Sequence, residues 1–132
     1  MKIVDQELIN NLYIAADKSD RKRSHHLLHL SHQDKVQRLL IAMIRESFVE
    51  PHYHEQKHQW ELFQVLEGTV EMCIYDSALT VTEKYLLGGE GNISMVEIEP
   101  NDIHSVRCVS DKALLLEIKE GPFNAHFAKR FI

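Results

Sequence analysis

Three histidines and one glutamate are spaced along the chain as the ligands of a single metal ion would be. His52 and His54 flank one residue, Glu61 opens the next apolar segment, and His104 follows a turn much later. Because strand side chains alternate between two faces, His52 and His54 can point at the same ion. Imidazole nitrogen and carboxylate oxygen suit Fe, Mn, Ni, Co, Cu or Zn and discriminate poorly among these metals. The spacing therefore predicts one mononuclear site for a divalent transition metal inside a small β-barrel.

Glu61 is the predicted ligand with the clearest alternative role. The parity that points Glu61 inward also points Phe63 and Val65 inward, so its carboxylate would lie in apolar surroundings. An unpaired buried carboxylate is costly, and a metal ion would satisfy it. Glu61 could instead accept a hydrogen bond from a ligand imidazole, in which case His58 is the natural replacement ligand. Four protein ligands would leave positions open for water, dioxygen or substrate, whereas a structural zinc site is usually closed.

The elements that must position these ligands are mostly short strands. Apolar residues recur every three or four positions between Asp5 and Asp17, which predicts one amphipathic helix. Beyond it, short segments that alternate or are rich in β-branched residues, separated by turns, predict a sandwich or barrel. The expected strands cover 25–30, 39–43, 47–54, 61–67, 70–75, 95–98, 105–109 and 113–119. We expect residues 1–19 to form the helix and connector and residues 20–132 the barrel, with a tail from residue 124 that folds back or packs on a partner.

Composition narrows the class of protein. The 132 residues suffice for one domain with its own core, and a net charge of −5 argues against a nucleic-acid surface. No apolar run approaches the roughly 20 residues of a membrane span, and the N-terminus does not resemble a signal peptide. Cys73 and Cys108 are expected to be buried free thiols rather than a disulfide. Together these features predict a cytoplasmic protein that binds a small molecule and neither nucleic acid nor membrane.

The segment 51–68 resembles the first sequence motif of the cupin superfamily. That motif has two histidines around one residue, then a glutamate, then a glycine after six further residues, which is Gly68 here. The gap between His54 and Glu61 is about two residues longer than in the usual form. The resemblance implies an all-β fold, a single cupin barrel (a double-stranded β-helix, or jelly roll), with a short N-terminal helix. It also implies that His52, His54 and Glu61 are metal ligands.

The segment 99–104 resembles the second cupin motif, which contains a proline, a glycine and a histidine. Glu99 replaces the usual first proline, and Asn101 replaces the usual glycine. Asparagine is the non-glycine residue that best tolerates a positive φ, so the turn can survive this change. The resemblance implies that His104 is the remaining metal ligand.

A narrower resemblance covers the chain from about residue 20 to its end. It is to the WbuC-type cupin fold metalloproteins, whose genes are often found among bacterial surface-polysaccharide (O-antigen) biosynthesis genes. The matching residues are 21–23, His29, 36–39, Trp60-Glu61 and 117–123. The resemblance implies a polysaccharide-linked role but no particular reaction.

Four further polar residues are candidates for binding a substrate. Arg23 and Arg38 offer planar guanidinium groups that suit a carboxylate or phosphate. Arg38 would orient an anionic substrate if it points into the barrel, and would otherwise form a surface salt bridge. His29 could approach the barrel mouth, and Lys119 could line the cavity or tie down the tail. The neighbouring histidines are expected on a solvated or interface strand; they are His25, His26 and His32.

Three roles for the protein remain open. The first is a metal-dependent enzyme acting on a small polar or sugar-derived molecule, as an isomerase or epimerase or as an oxygenase. Proton transfer would need a general base, for which Glu61, His29 or Glu120 could serve. The second is a non-catalytic, metal-dependent module that binds a small ligand, and a purely structural metal is a third alternative. A homodimer is expected, because small cupins commonly pair and the apolar face of the helix needs cover.

Overall fold

The computed structural model describes all 132 residues and consists mainly of strands. One helix, α1 (Gln6–Lys18), precedes them, and a short 3₁₀ turn (Ala125–Phe127) lies near the C-terminus. The strands are β1 (Arg23–Leu27), β2 (Val36–Ile44), β3 (Phe48–Tyr53), β4 (Glu61–Glu67), β5 (Thr69–Tyr75), β6 (Val81–Gly88), β7 (Met95–Ile98), β8 (Ile103–Cys108), β9 (Lys112–Glu120) and β10 (Arg130–Phe131).

The strands form two five-stranded sheets. The first sheet has the order β1-β2-β9-β4-β7 and the second the order β10-β3-β8-β5-β6. All neighbouring strands within each sheet are antiparallel. Consecutive strands often lie in different sheets, so the chain winds around a shared interior. This arrangement confirms the predicted all-β barrel with a short N-terminal helix.

The interior of the barrel is apolar over most of its length. Inward side chains alternate with outward ones along each strand, and both sheets contribute. The buried core consists of Met43, Phe63, Val65, Val70, Met72, Leu87, Ile98, Val106, Cys108, Ala113 and Leu115. Cys73 and Cys108 are free and buried, as predicted. At the other end of the barrel the same strands carry polar residues around a cavity, which is described below.

Helix α1 packs on the outer face of the first sheet. Asp5 caps its N-terminus by accepting a hydrogen bond from the Leu8 N–H at 2.9 Å. Tyr13 and Ala16 are buried against Leu40 and other apolar residues of β2 and β9. The chain's own sheet therefore covers the apolar face of α1, which removes one reason for expecting a dimer.

In this structure no helix is long and apolar enough to cross a membrane.

Two tight turns contain Gly68 and Asn101, the residues at the glycine positions of the two cupin motifs. Gly68 has a φ of +75°, and a Cβ atom there would lie 2.0 Å from the Lys112 carbonyl oxygen. Asn101 has a φ of +72°, which confirms that asparagine replaces glycine in a left-handed turn. The Asn101 N–H donates a hydrogen bond to the His54 carbonyl at 2.8 Å, so this turn packs directly against a predicted ligand.

Two strands were not predicted. Strand β6 is an edge strand, and most of its residues are exposed, so it lacks a clear apolar alternation. Strand β10 has only two residues, and it pairs with β3 at Tyr53 and His52. The C-terminal tail thus folds back onto its own barrel, which was one of its two expected positions.

Candidate metal centre

The four predicted ligands converge at the polar end of the barrel. His52 and His104 are direct partners on the neighbouring strands β3 and β8, and His54 follows β3 immediately. Glu61 is the first residue of β4 in the other sheet. All four side chains are buried, and one ligand atom from each lies within 4.8 Å of the others. The site therefore joins the two sheets across the interior; below we call these four residues the ligand ring.

Backbone carbonyl groups fix the orientation of all three imidazoles. The Nδ1 atom lies 2.8 Å from the Glu50 oxygen in His52 and 2.9 Å from the Asp102 oxygen in His104. In His54 it lies 2.5 Å from the oxygen of Ala128, which belongs to the C-terminal tail. A carbonyl only accepts hydrogen bonds, so each Nδ1 must carry the proton. In the neutral imidazole the Nε2 atom then presents a lone pair, which is how such histidines bind metals.

These lone pairs face the carboxylate of Glu61. Its Oε1 atom lies 2.5 Å from His54 Nε2 and 3.6 Å from His104 Nε2. Neither His54 Nε2 nor Glu61 Oε1 has a hydrogen-bond partner, although both are buried. Two acceptors held this close repel each other unless a cation or proton lies between them. The donor set and these orphaned atoms fit a divalent transition metal.

The protonation states of His52 and Glu61 also suit a bound metal ion. Burial, together with the nearby His104, lowers the pKa of His52 to about 3, so this imidazole is neutral at physiological pH. Burial alone would raise the pKa of Glu61, but in the metal-free site positive charge on the facing imidazoles of His104 and His54 holds it well below its usual range, and a bound cation would act in the same direction. Metal ligands must be neutral imidazoles and ionised carboxylates, and these shifts favour the neutral state of His52 and the ionised state of Glu61.

The ligand ring opens into a cavity of about 240 Å³. Its apolar wall includes Leu39, Ile41, Met43, Val49, Phe63, Val106 and Leu115. Its polar wall includes Arg23, His25, Gln37, His58, Gln59, Glu117, Lys119, Glu120 and Lys129. The cavity therefore combines a water-poor surface with a few polar groups, as small-molecule sites usually do.

The four predicted substrate-binding residues separate into two pairs. Arg23 and Lys119 lie in the cavity wall, whereas His29 and Arg38 do not. On β2, Gln37 and Leu39 take the inward positions, so alternation directs Arg38 to the outer face. His29 is buried, and its Nδ1 accepts a hydrogen bond from the Arg38 N–H at 3.0 Å. Arg38 and His29 thus lie outside the cavity wall in this structure, and their role in binding a substrate stays a prediction.

Glu117 is a site residue that the sequence analysis missed. It is buried on β9, directly opposite Leu39 and Phe63 on the neighbouring strands. Burial, reinforced by the nearby charge of Glu61, raises the pKa of Glu117 to about 8. Its Oε1 atom lies 3.7 Å from Lys119 Nζ. Its position two residues after the inward Leu115 was the available signal, because strand alternation places both side chains on one face.

The C-terminal tail forms one side of the site. Besides the Ala128 carbonyl, it contributes Lys129 to the cavity wall. The lengthened loop before β4 is tied to it, since Gln59 Nε2 donates a hydrogen bond to the Phe127 carbonyl at 2.5 Å. No spacing in the sequence signals these contacts, because they join segments about 70 residues apart through main-chain atoms.

Comparison with known proteins agrees with this architecture. Residues 4–87, well over half of the chain, match the family described as "Domain of unknown function (DUF6016)". No curated protein sequence matches the chain. Among solved structures, the capsular polysaccharide assembling protein CapF from Staphylococcus aureus superimposes with a TM-score of 0.70 at 17% identity. The match covers 86% of this chain but 32% of CapF, so the chain spans about a third of that protein's length.

Two smaller proteins match over most of their length. A cupin superfamily protein from Desulfitobacterium hafniense DCB-2 has a TM-score of 0.58 at 18% identity, covering 74% of this chain and 76% of that one. KdgF from Halomonas sp. has a TM-score of 0.59 at 13% identity, covering 79% and 82%. At such identities the likeness concerns the fold alone, and it confirms a single cupin barrel.

Proposed function

Because the chain belongs to the DUF6016 family, whose description assigns no function, we propose its function from the site itself. We propose a WbuC-type cupin metalloprotein that binds one divalent transition metal ion, Fe, Mn, Ni or Zn, through the ligand ring. In this proposal the protein acts on a small polar or sugar-derived molecule by metal-assisted chemistry. Its role would be in the biosynthesis of a bacterial surface polysaccharide.

One observation carries the metal in this proposal. Three histidines each direct Nδ1 at a backbone carbonyl and Nε2 toward one buried carboxylate. Histidines that serve only as core residues need no such common orientation, whereas metal ligands are held in this way by hydrogen bonds to their second nitrogen. The unpartnered His54 Nε2 and Glu61 Oε1 point to the same conclusion, because a cation would satisfy both.

The link to polysaccharides has two supports of different kinds. The first is the resemblance of residues 20–132 to proteins whose genes accompany O-antigen biosynthesis genes. The second is the shared fold with CapF, a capsular polysaccharide assembling protein. A fold alone does not determine a function, and this chain corresponds to only about a third of CapF. The substrate class therefore has to be argued from the cavity.

The cavity contains the groups that an isomerase or epimerase would use. A bound metal ion would supply Lewis-acid polarisation of a substrate oxygen. Glu117 would hold a proton close to the ring, because burial raises the pKa of its carboxyl to about 8 in the metal-free site. Glu120 lies at the end of β9 and also lines the cavity, as the alternative acid–base group. The apolar wall would exclude water from the reacting atoms.

Metal analysis tests the first half of the proposal. Tag-free protein should contain about one divalent metal ion per chain by plasma mass spectrometry. The variants His52→Ala and His104→Ala should lose it, and the control His26→Ala should retain it, because His26 lies outside the ligand ring. A metal-free wild type after reconstitution with each of the four metals would refute the proposal.

Measurement of turnover tests the second half of the proposal, the metal-assisted reaction on a sugar-derived molecule. Glu117→Gln should retain the metal and lose most of the activity of the metal-loaded protein on sugar-derived substrates, because glutamine preserves shape but holds no transferable proton. An equally active Glu117→Gln variant would exclude this residue as the proton donor or acceptor. Saturable ligand binding without turnover by the metal-loaded wild type would instead favour the metal-dependent binding module.

The expected homodimer remains a prediction. Light scattering coupled to size exclusion should give a mass of about twice the 15.4 kDa of one chain. A mass of one chain would exclude the dimer without affecting the metal site, whose four ligands all come from a single chain.

A further inference from the structure

Four basic side chains line the cavity beside the ligand ring. Arg23 and His25 come from β1, Lys119 comes from β9, and Lys129 comes from the C-terminal tail. Strands β1 and β10 are edge strands of different sheets, so the open side of the barrel brings these segments together. A second surface recess is also lined by both Arg23 and Lys129, which shows that the two segments are neighbours. We call Arg23, His25, Lys119 and Lys129 the basic mouth.

Two of these cations lack an anionic partner. Neither Arg23 nor Lys129 forms an ion pair with a carboxylate. The only side-chain hydrogen bond of Arg23 is a long one, 3.4 Å, to the Phe48 carbonyl. Burial and the proximity of Arg23 lower the pKa of Lys129, and burial together with Arg23, Lys129 and Lys119 lowers the pKa of His25. Arg23, Lys119 and Lys129 thus form a cluster of like charges within the basic mouth, which an anion would stabilise.

The net charge of the whole cavity also favours an anionic ligand. Three carboxylates (Glu61, Glu117 and Glu120) and three cations (Arg23, Lys119 and Lys129) line it. With a divalent metal ion in the ligand ring, the cavity would have a net formal charge of +2 with Glu117 ionised and +3 with Glu117 protonated. An anionic ligand would offset this charge, whereas a neutral one would leave it uncompensated.

The geometry also connects the basic mouth to the ligand ring. Lys119 is the direct cross-strand partner of Glu61, so their side chains leave the same face of the first sheet as neighbours. Gln37 is the partner of Lys119 on the other side, and it too lines the cavity. One small molecule can therefore contact the ring and the mouth at the same time.

We propose that the cavity binds a small hydroxylated anion, with its carboxylate or phosphate at the basic mouth and its hydroxyl or carbonyl oxygens at the ligand ring. This inference rests on the proposed metal site and specifies the substrate class of that site. The volume of about 240 Å³ is below the range of about 300–1,000 Å³ typical of pockets for drug-sized ligands. A sugar acid or a sugar phosphate fits this limit, whereas a complete sugar nucleotide would extend outside the cavity.

Calorimetric titration of the metal-loaded protein tests the proposal. The probes are glucuronate, glucose 6-phosphate and glucose, which share a hexose ring and differ in charge. At least one anion should bind about tenfold or more tightly than glucose, as expected for charge-assisted hydrogen bonds. Comparison of the two anions distinguishes a carboxylate site from a phosphate site.

Substitutions locate the anion. Lys129→Gln and Arg23→Gln should each weaken binding of the preferred anion about tenfold and leave glucose binding unchanged. The matched control Lys84→Gln removes a cation from the exposed strand β6 and should have no effect. Because metal content is measured separately for every sample, loss of the metal site is distinguished from failure of the anion site. Glucose binding as tight as that of both anions, or no anion binding to metal-loaded protein, would overturn the inference.

Discussion

The same strands form both ends of the barrel interior, but one end is an apolar core and the other is a polar site. Along β8, Val106 and Cys108 lie in the apolar core and His104 lies in the ligand ring. Along β9, Leu115 lies in the core, and Glu117 lies two residues further on beside the ring. Strand alternation decides which side chains face inward at both ends, and residue type alone decides what each end does.

The difference shows how stability and function are separated in this fold. Apolar side chains at one end gain free energy when they leave water, and they need no partner. Buried imidazoles and carboxylates at the other end cost free energy unless each polar atom is satisfied. Within the ligand ring two atoms remain unsatisfied, on His54 and Glu61. These two buried polar atoms without partners would destabilise an ordinary core, and they therefore mark the place where a ligand is needed.

The largest expected effect comes from the apolar end. Leu87 is fully buried in the core and does not line the cavity. Leu87→Ala should lower the free energy of unfolding by about 2–5 kcal/mol, because it removes buried methyl groups and leaves a void. Urea denaturation measures this, and the metal content per folded chain should stay unchanged.

The adjacent residue provides the matched control. Leu86 is 42% exposed on the same strand. Leu86→Ala should change stability by no more than about 0.5 kcal/mol. If Leu87→Ala abolished metal binding in chains that remain folded, the two ends would not be independent.

A smaller effect is expected where the tail supports the ligand ring. Deletion of residues 124–132 removes the Ala128 carbonyl that accepts the hydrogen bond from His54. Loss of such a partner typically reduces metal affinity about 10–100-fold, which chelator competition can measure. Removal of Ile132 alone, an exposed residue beyond β10, is the control and should have little effect. Equal affinity of both proteins would show that the tail does not orient His54.

Much of the polar end follows from local sequence patterns. The two-residue spacing of His52 and His54 and the turn before His104 predicted that these side chains meet. The parity of Phe63 predicted that Glu61 points inward with it, and the structure agrees. Each of these inferences needs only alternation within one strand or the chemistry of one turn.

The remainder of the site depends on how strands pair. Arg38 was a candidate for the cavity, but the inward positions beside it belong to Gln37 and Leu39. Alternation alone places Glu117 on the same face as Leu115, but only strand pairing places it between Leu39 and Phe63. The tail reaches the site through a main-chain carbonyl, for which residue type carries no signal. Register and main-chain contacts between distant segments were therefore what the sequence left undetermined.

The last predicted effect concerns acid and separates the two ends by titration. In the metal-free protein, burial and His104 lower the pKa of His52 to about 3 from an ordinary value of 6.5. The unfolded chain therefore binds a proton at His52 below about pH 6.5, which the folded chain does not bind until about pH 3. The contribution of His52 to stability is complete above pH 6.5 and is lost as the pH falls through this window.

The slope of stability against pH measures this contribution. One such histidine accounts for at most about 1.4 kcal/mol per pH unit, and His52→Gln should remove that part of the slope. Leu87→Ala should lower the whole curve without changing its slope, because it alters no titrating group. Urea denaturation of the metal-free proteins between pH 4 and pH 7 provides both curves. Parallel curves for wild type and His52→Gln would mean that acid acts elsewhere in the molecule, and the polar end would then not be its acid-sensitive part.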